Sequence, residues 1–162
     1  MASRLGPRHE AGRVLTRDAL LAYFHFMCIF GLASVLLGEL FLLRPVLPGD
    51  LFRRLRLIDR WYGIIAGLVI VSGLLRLNLG LKGVPFYTGN PVFWTKMGLF
   101  AIVGLLSIVP TVAYLRWNGR CSDDGSIVLP QAEFARIRWF LWLQIAVFVF
   151  IPLCAVFMAR GL

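Results

Sequence analysis

Charged residues are scarce in this chain of 162 residues, where they make up 15% against about a quarter in an average soluble domain. Apolar residues make up 59% of the chain, and an aqueous surface has no place for such a surplus. The composition therefore excludes a soluble enzyme, a disordered chain and a disulfide-rich secreted module. What remains is an integral membrane protein with a single domain.

Cysteines and catalytic motifs are also few. Cys28, Cys121 and Cys154 match no metal-binding or redox spacing, and one would be left over after any pairing, so we expect all three to be unpaired. The chain has no Walker loop, no GxGxxG, no HExxH and no nucleophile elbow. These absences exclude nucleotide-driven and hydrolytic chemistry of the known motif classes.

Four apolar stretches are long enough to cross a bilayer, which takes about 20 helical residues. Backbone polar groups in lipid must be satisfied within their own segment, so these stretches are predicted to be helices. We expect an all-α integral membrane protein with four transmembrane helices in an up-and-down bundle. We predict a basic N-terminal tail at 1–17 and a transmembrane domain at 18–162. The four helices of that domain are predicted at about 19–43, 51–81, 92–115 and 136–159.

The distribution of basic residues predicts an orientation. The loops at about 43–61 and 115–139 together hold nine arginines, and the opposite side of the membrane holds six basic residues. The positive-inside rule then places both termini outside and the two basic loops in the cytoplasm of a bacterial inner-membrane protein. A net charge of +9 placed this way predicts contact with anionic lipid headgroups and no nucleic-acid partner.

Ionisable side chains within the spans are the candidate site residues, because each is costly in lipid. His25 lies about 9 Å into the first helix at 1.5 Å per residue, and Arg76 and Lys96 fall in the same leaflet. Met158, at the end of the fourth helix, joins them. Taken singly, the imidazole is explained by a hydrogen bond to a neighbouring helix. The two cations are explained as anchors whose long side chains reach the lipid headgroups. Taken together, the group resembles a haem or quinone site, in which imidazole ligates iron and cations hold propionates or a reduced, anionic cofactor.

A haem at His25 would need a sixth ligand from elsewhere. The other histidine of the chain, His9, lies in the tail, so one chain does not supply a bis-histidine haem from its spans. Met158, Lys96, a water molecule or a second protomer remain as alternatives, as does an open site.

A second polar group is predicted at the opposite membrane face. Its members are Glu39, Arg44, Asp59, Arg60 and Arg138. Glu39 lies about 21 Å from His25 along the helix, so the two cannot share one site. We expect a satisfied ion-pair network at the mouth of the bundle.

Short motifs resemble a known group of proteins. Tyr-Phe-His-Phe at 23–26 opens the first helix, and Phe-Trp-Thr-Lys at 93–96 opens the third. Three further motifs carry the resemblance, namely LLRP, GNPVFWTK and GLLSIVPT. The chain resembles an uncharacterised family of bacterial four-helix membrane proteins and, more distantly, the HemJ-type protoporphyrinogen oxidases. The resemblance to the HemJ type implies that His25 ligates haem b and that Lys96 is needed for catalysis. At 108–111 the chain has Ile-Val-Pro-Thr, where the HemJ group tends to carry further histidines.

Three hypotheses for function follow. The first is a HemJ-like oxidoreductase that binds haem b through His25, with Arg76 and Lys96 as the cations for propionates or substrate. It would take a porphyrin ligand, pass electrons to quinone and act as a homo-oligomer. The second is a non-catalytic subunit that stabilises or assembles a membrane complex, with Gly63 and Gly67 as a GxxxG packing motif. The third is a small transporter in which Glu39 and Asp59 relay protons.

Overall fold

The computed structural model describes residues 7–81, 83–122 and 125–160. Four long helices dominate this part of the chain, with one short helix, a single 3₁₀ turn and a two-stranded antiparallel pair between them. In chain order the elements are α1 (Pro7–Leu42), β1 (Val46–Leu47), α2 (Gly49–Leu79), α3 (Gly83–Thr88), α4 (Pro91–Trp117), the 3₁₀ turn (Asn118–Arg120), β2 (Ile127–Val128) and α5 (Gln131–Ala159). The prediction of an all-α protein with four spanning helices is confirmed.

Two helices begin earlier than the hydropathy predicts. α1 starts at Pro7, so the described part of the predicted tail is helical and continuous with the first span. α5 starts at Gln131 rather than near 136. Helices tolerate polar residues where they leave the bilayer, and hydropathy reports only the part in lipid. The second helix also differs at its start, because it begins at Gly49, with Pro48 as the N-cap and Asp50 in the first turn.

The long helices pack as two hairpins. α1 packs along α2, α4 packs along α5, and α1 and α5 join the hairpins. A hydrogen bond joins α2 and α4, in which the Thr111 hydroxyl donates to Asp59 Oδ1 at 2.6 Å. Along the same two helices a cavity of about 420 Å³ separates them, with Leu32 of α1 in its lining. The bundle is therefore open on the side between α2 and α4.

The core is a narrow seam of leucine, valine and aromatic side chains along the bundle axis. Its most buried members include Leu32, Leu36, Leu55, Val103, Trp117, Ile137 and Leu141. The outer faces are also apolar, with exposed Leu, Ile, Phe and Trp side chains along every long helix. α1, α2, α4 and α5 are each long and apolar enough to cross a membrane. An apolar exterior over a helical bundle is the surface that a bilayer solvates.

Both ends of the α1–α2 hairpin are tied by polar contacts. At one end the guanidinium of Arg17 donates to the carbonyl of Leu79 at 2.9 Å, and the amide of Leu81 donates to Asp18 Oδ1 at 3.1 Å. These bonds satisfy backbone groups that the end of α2 leaves without helical partners. At the other end β1 pairs with β2 and joins the connections between the helices of both hairpins. The two hairpins are thus fastened together at the end where Arg53 and Arg54 lie exposed.

Asn90 caps the helix that carries Lys96. Its side-chain oxygen accepts a hydrogen bond from the amide of Val92 at 2.8 Å, and Pro91 follows as the first helical residue. We expect Asn90→Ala to lower the free energy of unfolding by about 1 kcal/mol, because the amide loses its acceptor. Denaturant titration in detergent measures this change. Asn78→Ala is the control, since that amide bonds to a carbonyl of its own helix at an exposed position; equal losses from both variants would contradict the capping role.

Candidate functional site

His25, a residue of α1, makes a polar contact with α2. Its Nδ1 lies 2.8 Å from the hydroxyl oxygen of Ser72, which is 1% exposed. Gly73 comes next on α2, and a Cβ atom there would lie 3.4 Å from the Cε1 atom of the imidazole. The ring therefore rests against the backbone of α2, in a place where a larger side chain would crowd it.

The contacts of the Ser72 hydroxyl favour one tautomer of His25. That hydroxyl donates to the carbonyl of Val69 at 3.1 Å, and a hydroxyl has one proton to give. Its oxygen is then the acceptor for Nδ1–H of His25. The lone pair is left on Nε2, which makes no hydrogen bond to the residues that the structure describes. A neutral imidazole with a fixed Nδ1–H and a free Nε2 is the form that ligates a metal.

Two cations share this region with the imidazole. Arg76 lies one helical turn after Ser72 on α2, with its guanidinium 5.8 Å from the centre of the Phe26 ring. Lys96 reaches in from α4, with its ammonium 5.5 Å from the centre of the Phe93 ring. Both are close enough to act electrostatically on His25. The structure thus brings together the three ionisable residues that the sequence places at one depth.

No acidic side chain neutralises this pair of cations within the described ranges. Among the described residues the structure shows an ion pair between Arg120 and Glu133 at 2.9 Å, and this pair lies at the opposite end of the bundle from the two cations. Arg76 also has a buried Nε atom without a hydrogen-bond partner. An unpaired cation in an apolar span is costly, so the arrangement is suited to an anionic ligand. Within the same ranges no group of three His, Cys, Asp or Glu side chains could hold a metal ion.

Met158 and Cys154 belong to the last two turns of α5. Cys154 is close enough to Lys96 to act on it electrostatically. Met158 is buried and lies one turn further along the same helix face, but no described contact joins it to His25. The structure therefore buries the predicted sixth ligand near the end of α5, without a described contact to the imidazole.

Sequence reasoning missed the neighbours that position the imidazole. Ser72 was available as a signal, because it is a hydroxyl in an apolar run four residues before Arg76 and so on the same helix face. Phe26 and Phe93, which face the two cations, each stand next to or near a predicted site residue in the chain. Gly73 gives no such signal, since its role is a close approach that only the structure shows.

The predicted ion-pair network at the opposite face is wrong. Glu39 is 2% exposed and forms no ion pair with the described residues, and its Oε1 atom has no hydrogen-bond partner. Asp59 bonds to Thr111 instead of to an arginine. The predicted cations all have exposed side chains: Arg44, Arg60 and Arg138. Long basic side chains reach outward to water and headgroups, which leaves the buried carboxyl without them.

Fold and composition define a multi-pass membrane protein with four candidate spans and a polar cluster inside the bundle. Residues 17–162 match the family described as "Predicted membrane protein (DUF2214)". The chain belongs to this family. No match was found among curated proteins or among solved structures.

Proposed function

We propose that this protein binds haem b in the bacterial inner membrane and acts as a redox protein, with His25 as the axial ligand. The observation that carries the proposal is the pair of unneutralised cations, Arg76 and Lys96, beside an imidazole whose Nε2 is free. A haem has the two features that this cluster lacks, namely an iron that accepts imidazole and two propionates that neutralise cations. The sequence resemblance to HemJ-type oxidases supports the same assignment.

The residues fit the cofactor chemically, and each has a distinct part. His25 would hold the iron through Nε2 while Ser72 fixes the ring by accepting from Nδ1–H. Arg76 and Lys96 would hold the propionates, with the buried Nε of Arg76 gaining the acceptor it lacks. Lys96 is also the proposed catalytic cation for a porphyrin substrate, and Met158 a proposed sixth ligand. The haem supplies one-electron chemistry when bound, and quinone is the proposed electron acceptor.

The test is an absorption spectrum of detergent-purified protein, oxidised and then reduced with dithionite. We expect a Soret band and reduced b-type bands in the parent protein, and their loss in His25→Ala. His9→Ala is the matched control, because it removes the other histidine of the chain and leaves the spans unchanged. A featureless spectrum from cells supplied with haem, or bands that survive in His25→Ala, would overturn the proposal. Size-exclusion chromatography of each variant reports whether it remains folded.

A second candidate function, a subunit that packs in a larger assembly, is favoured by four exposed glycines of α2 and α4. A Cβ atom at Gly63, Gly67, Gly98 or Gly104 would meet nothing within 4 Å. Small residues on a lipid-facing surface let another helix approach closely. We expect Gly67→Leu to shift the purified protein to a smaller mass by native mass spectrometry, through loss of a second copy or of a stoichiometric partner. An unchanged mass would oppose this function and leave the haem proposal untouched.

A further inference from the structure

A second buried polar cluster lies about 21 Å along α1 from His25 and is independent of the haem proposal. Its centre is Glu39, which is almost fully buried and has an Oε1 atom without a hydrogen-bond partner. Tyr114 of α4 is equally buried, and its hydroxyl is also without a partner. Native proteins leave few buried polar atoms unsatisfied, so two together require a reason.

Glu39 has another carboxyl group as a neighbour. Asp59 of α2 acts electrostatically on it, and the neutral hydroxyls of Tyr62 and Tyr114 lie within the electrostatic reach of Glu39. Arg56 acts on Asp59, but no cation forms an ion pair with either carboxyl group in the described part of the chain. Two carboxylates that face each other in an apolar interior cannot both stay ionised. One proton shared by the pair removes the conflict and gives the unpartnered oxygen a hydrogen to donate.

The two carboxyl groups are not equivalent. Asp59 accepts a hydrogen bond from Thr111 at 2.6 Å and has Arg56 near it, and both interactions stabilise the ionised form. Glu39 has the hydroxyl of Tyr114 near it but no cation among the described residues, and it is the more deeply buried of the two carboxyl groups. The proton therefore belongs on Glu39, with Asp59 as the ionised partner.

The cavity between α2 and α4 connects this pair to the open side of the bundle. Its volume of about 420 Å³ would hold several water molecules at about 30 Å³ each. The polar partners that water needs are supplied by its lining residues Asp59, Arg60, Tyr62, Ser107 and Thr111. Asp59 thus lines the cavity and is also close enough to Glu39 to act on it electrostatically, which is the position of a proton carrier between the two.

We infer that Glu39 and Asp59 form a buried proton-binding pair that exchanges its proton through the cavity between α2 and α4. The pair takes up one proton, which rests on Glu39, and gives it to water in the cavity by way of Asp59. This is a site for a proton-coupled step in the membrane.

The test uses dicyclohexylcarbodiimide, a lipid-soluble reagent that modifies protonated carboxyl groups in apolar surroundings. The purified full-length protein is treated in detergent over a pH series, and labelled residues are located by peptide mass spectrometry. We expect labelling at Glu39 and none at the exposed Asp50. The rate should fall about tenfold per pH unit once the pH exceeds the midpoint of the group.

Variants assign the proton to one member of the pair. We expect Glu39→Gln to abolish labelling and to leave Asp59 unlabelled, because Asp59 then has an uncharged amide beside it and stays ionised. Asp59→Asn should leave Glu39 labelled. Glu133→Gln is the matched control, since it removes a carboxyl group that is ion-paired at the same end of the bundle, and labelling should not change.

Three results would overturn the inference. The first is no labelling of Glu39 in the folded protein under conditions where the reagent labels the denatured chain. The second is labelling of Asp59 instead, and the third is protection by sodium ions at constant pH, which would make the ligand a metal cation. Should Glu39→Gln fail to fold, the infrared carbonyl stretch of a protonated carboxyl group in the parent protein decides the matter. Its absence at neutral pH would refute the assignment.

Discussion

Replacing Trp117 by alanine is expected to lower the free energy of unfolding by about 3–5 kcal/mol, the usual cost of truncating a buried aromatic side chain. The indole is 0% exposed at the end of α4, and its ring centre lies 5.4 Å from that of Tyr114. Its Nε1–H donates to Glu133 Oε1 of α5 at 2.8 Å. Truncation leaves a cavity at the joint of the α4–α5 hairpin and takes a donor from a carboxylate.

Denaturant titration in mixed micelles, followed by far-ultraviolet circular dichroism, measures this loss. Trp139→Ala is the matched control, because that indole is 66% exposed on the outer surface of α5. Trp117→Phe should fall between the two, since it keeps most of the volume and loses the N–H donor. If Trp117→Ala and Trp139→Ala lowered stability equally, the joint would not depend on burial of this side chain.

The helix count follows from the sequence, but the helix ends do not. Each span is a run of apolar residues long enough to cross a bilayer, and lipid leaves such a run no alternative to a helix. Outside the lipid, hydropathy does not indicate where a helix begins or ends. Residues 7–17 continue α1 as helix although the hydropathy of that segment is unremarkable, because hydropathy does not report a helix in water.

The packing order of the helices could not be predicted either. In a soluble bundle an apolar stripe marks the face that turns inward. Here α4 and α5 are apolar on all sides, because side chains that face the lipid and side chains that face the core must both be apolar. The sequence therefore gives no indication that α2 and α4 stand apart, or that a cavity lies between them.

For the site, residue counting gives depth but not direction around the helix. It places His25, Arg76 and Lys96 at one level, and the structure brings these three within electrostatic range. It also puts Glu39 near basic residues that in fact face outward. A shared level is thus a necessary condition for contact, and the contacts of Ser72 and Cys154 needed the structure.

Replacing Ser72 by alanine is expected to weaken haem binding about 10–100-fold, the usual cost of losing a hydrogen bond that orients a metal ligand. The Ser72 oxygen accepts from Nδ1–H of His25, and alanine offers no acceptor. The ring would then be free to turn, and the lone pair would no longer be fixed on Nε2.

Titration of haem into the apoprotein measures the affinity, and the positions of the reduced bands report the state of the ligand. Ser34→Ala is the matched control, because its hydroxyl bonds to a carbonyl of its own helix at an exposed position. A merely structural Ser72 would change the unfolding midpoint and leave the bands of the bound haem in place. We expect Ser72→Ala to bind haem more weakly and to shift the bands, and Ser34→Ala to do neither. That result would show that Ser72 positions His25. Unchanged affinity would show that the imidazole is held by packing against Gly73 alone.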